Sequence, residues 1–275
     1  MHKTTVIDKF GNSVGTVSTS GDHWRHRHDA LKHVIHNLCL WAKLPVHLEV
    51  LNMFAPVIQQ FEQLNEDCDQ RQRQGLIPDL FFPESNQLAD IKTMACCKTH
   101  YPPSRFRHAV TNDAVRVRQG KVNNLYRDKA KYIDEKFNNH PYRDRPGPVG
   151  LKLASYGRVR GLICGAFGEG SPDLFKLCDK IAGVAASSRF EDLGAIDINS
   201  AKARASRFVY RAIGMEMIRG TAALRNYRMG VILAGSASAK AAASRRKWAK
   251  IRWEEEQEAY FYSHSYGRLA QERPW

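Results

Sequence analysis

No apolar run in the 275 residues approaches the roughly 20 needed to cross a bilayer, so a membrane-spanning helix is excluded. The opening residues, Met1-His2-Lys3-Thr4-Thr5-Val6, lack the apolar stretch of a secretory leader. That predicts an intracellular protein of the nucleus, nucleoid or cytoplasm, not a secreted one. Cysteines are few, and Cys39, Cys68, Cys96, Cys97, Cys164 and Cys178 form no CxxC pair. Their spacing argues against a disulfide framework or a zinc site and predicts reduced, buried thiols. The glycine-rich stretch Gly165 to Gly170 lacks the Lys-Ser/Thr of a phosphate loop and reads as a strand-to-helix turn. The run His23 to Asp29 carries three histidines, but too few residues precede it for the further upstream histidine of an HD phosphohydrolase. His23 and His26 alone leave a zinc site incomplete. Asp29 reads as a helix N-terminal residue and the histidines as polar or substrate-facing. Internal repeats are absent.

Acidic residues are scarce in one place. From Asn199 to Arg252 there are thirteen Lys or Arg and a single acid, Glu216, a net of +12 within a chain whose total is +14. A field confined to one C-terminal segment suits a polyanion such as nucleic acid. The composition, 43% hydrophobic and 25% charged, is that of a globular chain able to bury a core.

Along the chain, residues 1 to 20 alternate loosely and suit a hairpin or a frayed end. Apolar spacing predicts a helix over 28–44, ended by Pro45. Residues 46–51 alternate like a strand, and 62–75 read as a loop. Two apolar runs follow, Pro78-Asp79-Leu80-Phe81-Phe82 and Leu88-Ala89-Asp90-Ile91-Lys92, read as paired strands. Tyr101-Pro102-Pro103 breaks the chain. A helix is predicted over 122–137, and a proline-rich connector over 140–148. Strands are predicted at 149–154 and 159–167, the second apolar on both faces like a central strand. Ser171 before Pro172 signals the N-cap of a helix running to about 186. Beyond Asn199 the chain reads as helical. Ala205, Phe208, Val209, Ala212 and Ile213 form an apolar stripe beside a basic one, Arg204, Arg207 and Arg211. Residues 234–243 are rich in Ala, Ser and Gly, and 245–267 read as a charged helix with Trp248, Trp253, Tyr260 and Phe261.

The chemistry concentrates on the paired runs. Residues i and i+2 of a strand share a face, so Asp90 and Lys92 project together, and Asp79 meets them from the neighbouring strand. Two carboxylates and a lysine so placed hold a divalent metal and set a water beside a phosphodiester.

Pro78-Asp79, ten residues, then Asp90-Ile91-Lys92 resembles the PD-(D/E)xK signature of the restriction-endonuclease-like nuclease superfamily, over about Arg27 to Arg189. The resemblance implies an α/β fold, a restriction-endonuclease-like core with a mixed central sheet flanked by helices, here at residues 1–192. The charge and helical pattern add a basic α-helical C-terminal extension at residues 193–275, for nucleic-acid binding or dimerisation, either as a separate helical subdomain or folded onto the core to extend one positive surface. The resemblance implies Mg²⁺ or Mn²⁺ on Asp79, Asp90 and the Ile91 carbonyl, with Glu49 as the upstream acid that holds a second metal or an outer-shell water, and Asp79, Asp90, Lys92 and Glu49 as the catalytic set. Nucleic acid would be met by Arg127, Lys131 and Tyr132 on the later helix, and by Lys202, Arg204, Arg207, Arg211, Arg245, Arg246 and Lys247 on the basic segment. DNA is preferred because the superfamily mostly implies it and no RNA-binding signature is present; RNA stays open. An endonuclease is preferred because a Gln-x-x-x-Tyr helix is missing, Asn124 and Lys131-Tyr132 being near misses. A weaker likeness, in His28 to Leu31 and Gly165 to Glu169, to nuclease segments of protist mobile elements implies site-specific, homing-type cleavage. The superfamily also implies a homodimer. The alternatives are a catalytically silent nucleic-acid-binding protein of the same fold and a structure-specific nuclease of the junction-resolvase type.

Overall fold

Four strands, β1 (His47–Leu48), β2 (Leu80–Phe82), β3 (Gln87–Thr93) and β4 (Arg160–Cys164), form one mixed sheet in that spatial order. The computed structural model describes residues 23–66, 76–94, 108–140 and 145–234. The hairpin or frayed end expected at residues 1–20, the break expected at Tyr101, Cys68, Cys96 and Cys97, and everything expected beyond residue 234, including Arg245, Arg246 and Lys247, lie outside the described residues. β1–β2 and β2–β3 are antiparallel, and β3–β4 is parallel. A parallel pair needs a long crossover, and α3 (His108–Phe137) and α4 (Pro148–Ser155) supply it. The mixed α/β architecture agrees with the sequence.

Helices cover both faces of the sheet. On one, α1 (His23–Trp41), α5 (Pro172–Ser188) and α6 (Ile198–Ala234) share a core with Leu80, Phe82, Ala89, Ile91 and Leu162. On the other, α3, α4 and the segment around Phe54 and Ile58 pack on Leu88, Met94, Val159 and Ile163. Ala89 and Ile91 on one face, against Leu88 on the other, follow the strand's period of two. The described part of the basic segment, α6, is no detached arm: Ala201, Ala205, Val209, Ile213 and Met217 are buried, and the last four lie in the same core as α1 and α5. Phe208, read as part of that apolar stripe, stays partly exposed and meets Trp41, ring centroids 4.8 Å apart. Cys39, Cys164 and Cys178 are free and buried, their thiols pushed up to about 12 chiefly by burial.

Three expected elements are corrected. Residues 149–154 are a helix, not a strand. Val149, Leu151 and Leu153 alternate, which suggested a strand, but Leu151 is exposed while Val149 and Leu153, four apart, are buried. Pro148 opens α4, and its first N–H groups donate to Asp134, which is fully buried at the end of α3. The strand at 46–51 shrinks to two residues because Glu49 adopts a left-handed backbone, φ 40°. β4 is the last strand of the described sheet and not a central one; α3 and α5 bury both of its faces. Boundaries also move: α1 starts at residue 23, α2 (Phe61–Glu66) occupies the start of the expected loop, and α3 starts at residue 108.

The free edge of β4 is closed by its own continuation. Ser171 N donates to the Ile163 carbonyl, while Ser171 Oγ donates to the Gly161 carbonyl and accepts from the N–H groups of Ile163 and Leu174. One hydroxyl thus caps α5 and pairs the strand edge. Asp173, also buried, holds Arg158 through contacts of 2.9 and 2.5 Å. Ser171→Ala leaves two buried donors and one acceptor without that partner, and a loss of about 2 kcal/mol is expected. The check is the shift in urea midpoint at unchanged slope.

Candidate active site

The register sets the site. Leu80 pairs with Ala89 and Leu48 with Leu80, so Asp79 and Asp90 are the next residues along their strands and stand side by side. Glu49 N donates to the Asp79 carbonyl at 3.1 Å. Asp90 and Lys92 share a face as expected, with Lys92 Nζ 2.7 Å from Asp90 Oδ2. That approach is off the direction of a hydrogen bond, and Oδ2 has no other partner. The short distance still makes the contact an ion pair.

Each carboxylate has its own surroundings. Asp79 Oδ2 accepts the Ile91 N–H at 2.6 Å and meets His28 Nε2 at 3.2 Å. Asp90 Oδ1 accepts the Tyr126 hydroxyl at 2.9 Å. Burial works against the charge of Asp79, but the His28 hydrogen bond and charge, Lys92 and the Ile91 N–H outweigh it and hold the carboxyl below the usual range. Burial and the neighbouring charge of Asp79 push Asp90 upward, against Lys92 and Tyr126. Burial and mutual repulsion thus set the two neighbouring carboxylates apart, which makes the pair the candidate site.

Tyr126 escaped the sequence reading, and His28, read there as polar or substrate-facing, was not placed beside Asp79. His28 Nε2 also lies 2.9 Å from the Ile91 carbonyl, and its Nδ1 lies 3.1 Å from Asp29 Oδ1. Burial opposes its charge, yet hydrogen bonds to Asp29 and Asp79 raise its pKa to about 9. Asp29 is therefore no N-terminal residue of its helix: it sits inside α1 and orients the imidazole. The signal available was spacing, since His28 and Lys32, four apart, border the buried stripe of Leu31, Ile35 and Leu38. Tyr126 reads as core, in step with Val122, Ala130, Ile133 and Phe137. A buried tyrosine hydroxyl needs a partner, and that need was its signal.

Glu49 is half-exposed, and its carboxylate meets the buried Lys32 ammonium, which also lies 3.2 Å from Asp29. The structure thus ties Glu49 to Lys32, one layer out from the Asp79–Asp90 pair. Four carboxylates (Asp29, Glu49, Asp79, Asp90) face four cations (His28, Lys32, Lys92 and Lys129, the last over the Tyr126 ring), so the cluster is balanced in charge and its claim on a cation rests on the oxygen donors of Asp79 and Asp90. Asp79, Asp90 and the Ile91 carbonyl are hard oxygen donors that fit Mg²⁺ or Mn²⁺, with the His28 imidazole orienting Asp79 and the carbonyl. Among the described residues no three His, Cys, Asp or Glu side chains are closed up to ligand spacing, because Asp79 turns to His28 and Asp90 to Tyr126 and Lys92.

The expected nucleic-acid contacts are scattered. Arg127, Lys131 and Tyr132 are exposed on α3; Lys131 lies 3.8 Å from Glu135, and the Lys136 ammonium lies over the Tyr132 ring. Lys202, Arg207 and Arg211 are exposed on α6. Arg204 donates to the carbonyls of Leu193 and Gly194 at 2.7 Å and so fastens the turn before α6. No protein-family model, curated protein or solved structure matches this chain. No helix among the described residues is long and apolar enough to cross a membrane.

Proposed function

We propose that the chain is a metal-dependent nuclease of the PD-(D/E)xK type that hydrolyses phosphodiester bonds, with DNA as substrate. The observation that carries the reading is the side-by-side placement of Asp79 and Asp90 with Lys92, on strands whose polarity brings the Ile91 carbonyl to the same spot. Mg²⁺ or Mn²⁺ held by Asp79, Asp90 and the Ile91 carbonyl would supply positive charge for the phosphoryl oxygens and a more acidic water. Lys92, half-exposed beside Asp90, orients the attacking water and offsets charge that develops on the phosphate. Tyr126 fixes the Asp90 carboxylate from α3. His28, oriented by Asp29, holds Asp79 and the Ile91 carbonyl in register.

The test is conversion of supercoiled plasmid by the purified protein in Mg²⁺ or Mn²⁺, with EDTA as control. Metal-dependent nicking supports the reading; protection of the DNA without nicking supports a silent binder. His28→Ala is expected to weaken Mn²⁺ binding roughly 10–100-fold, since the group that orients Asp79 and the carbonyl is gone. Calorimetric titration of Mn²⁺ checks it, and an unchanged isotherm would remove His28 from the site.

A further inference from the structure

We propose that Phe175 and Tyr210, on α5 and α6, form a stacking platform for unpaired bases of single-stranded nucleic acid, with Arg207 and Arg211 holding the strand's phosphates. The two rings lie 6.1 Å apart at 54°, and each residue keeps 41% of its surface exposed. Neither ring is needed to fill the core: the buried stripes of these helices run through Leu174, Leu177, Ile181, Val209 and Ile213. Beside the rings the surface is open, since a side chain at Gly214, one turn beyond Tyr210, would meet nothing within 4 Å.

The charge around the rings selects the occupant. Arg207 lies one turn before Tyr210 and Arg211 one turn after Arg207, where i,i+3 and i,i+4 side chains are neighbours. Both are exposed, as is Lys176 beside Phe175. The charge of Asp179 reaches the Tyr210 hydroxyl. A second copy docking through this face by two-fold symmetry would bring the same arginines against each other, which disfavours a self-contact. A polyanion that carries flat, stackable rings meets both features, and base–aromatic stacking over a basic track is the general mode of single-strand binding.

Topology places the platform at the same end of the sheet as the site described above, on the Ala89 and Ile91 face that α5 and α6 cover, with Asp90 and Lys92 on the opposite face. The turn that follows β4 packs against Phe175, where a Cβ on Gly170 would touch the ring. β4 runs parallel to β3, so that turn lies at the end of the sheet where Lys92 emerges. The platform rests on the nuclease reading only for the identity of the polyanion, and its test is a binding measurement that needs no cleavage.

Fluorescence anisotropy in EDTA would compare a labelled oligo-dT of about 20 nucleotides, long enough to span a typical single-strand site, with an abasic oligomer of equal charge. The full-length protein is expected to bind oligo-dT roughly tenfold more tightly. Phe175→Leu/Tyr210→Leu, which keeps the apolar contact between the helices, is expected to erase that preference with an unchanged salt slope. Arg207→Gln/Arg211→Gln is expected to keep the preference and flatten the salt slope by about 1.4, at about 0.7 per phosphate contact on a single strand. Equal affinity for the two oligomers, no binding of either, or an unaltered preference in the Leu variant whose thermal transition matches wild type would overturn the platform. So would a dimer in sedimentation that the Leu variant dissociates. Plasmid nicking without base preference overturns the platform and keeps the nuclease; base preference without nicking does the reverse.

Discussion

Asp90→Asn is expected to lower metal-dependent cleavage by about 10³-fold or more while leaving the metal-free protein at pH 7 as stable as wild type or more so. The two halves have separate causes. Activity falls because a neutral amide is a poor ligand for a hard cation and takes away one of the two carboxylates that would concentrate positive charge at the phosphate. Stability does not fall because Asp90 is pushed upward by burial and by Asp79. A carboxyl whose folded pKa lies above its unfolded value costs stability once it ionises. The cost is absent below the unfolded value of about 3.9 and develops as pH rises from there through the folded value. Asparagine removes that cost and keeps an oxygen to accept the Tyr126 hydroxyl. Asp79→Asn is expected to go the other way. Its carboxyl is held low, so its contribution is present above the unfolded pKa and disappears as pH falls through the folded one. Urea titrations of the two variants at pH 7 and pH 3 check the signs. Equal losses in both variants at pH 7 would show that the carboxylates do not oppose each other.

Asp134→Ala is expected to cost about 3 kcal/mol, more than the loss expected from Ser171→Ala. Asp134 accepts from the N–H groups of Val149 and Gly150 and from the Asn138 amide, each at 2.9 Å, with no exposure to solvent. Asn138 in turn accepts from Gln59 N and donates to the Val57 carbonyl. One carboxylate therefore starts α4, ends α3 and ties both to the 3₁₀ turn at Ala55–Val57. Alanine leaves three buried donors without an acceptor, at about 1 kcal/mol each. Asp134→Asn recovers only part, because one of its two atoms would point an N–H at another N–H. Gly147 belongs to the same device, since a Cβ there would fall on the Asp134 carboxyl. In a chain of this size about 3 kcal/mol lowers Tm by roughly 6–12 °C; a drop below about 2 °C would mean that other groups take over the cap.

What the sequence made legible was local. The paired motif strands, the shared face of Asp90 and Lys92 and the Ser171–Pro172 helix start follow from period two and from cap chemistry, and all are present. The buried stripe of α6 follows from the 3.6 period, apart from Phe208. What was hidden depends on contacts between distant segments. His28 becomes a site residue only because α1 lies across the end of β3. Glu49 looks like a third acid in the sequence, but Lys32, seventeen residues earlier, takes its carboxylate. Residues 149–154 alternate like a strand, and nothing local reveals that Asp134 waits to cap a helix there. Tyr132 was the tyrosine expected near the phosphate; the α3 phase instead brings Tyr126 to Asp90.

The central claim is that Asp79 and Asp90 share one divalent cation that drives phosphodiester cleavage. Calorimetric titration of Mn²⁺ into the wild-type protein and into Asp79→Asn/Asp90→Asn, each paired with plasmid cleavage in the same buffer, tests it most directly. Wild type is expected to bind Mn²⁺ saturably and to nick the plasmid, and the double variant to do neither. Nicking that survives in the double variant, or wild type that binds no Mn²⁺, would contradict the claim.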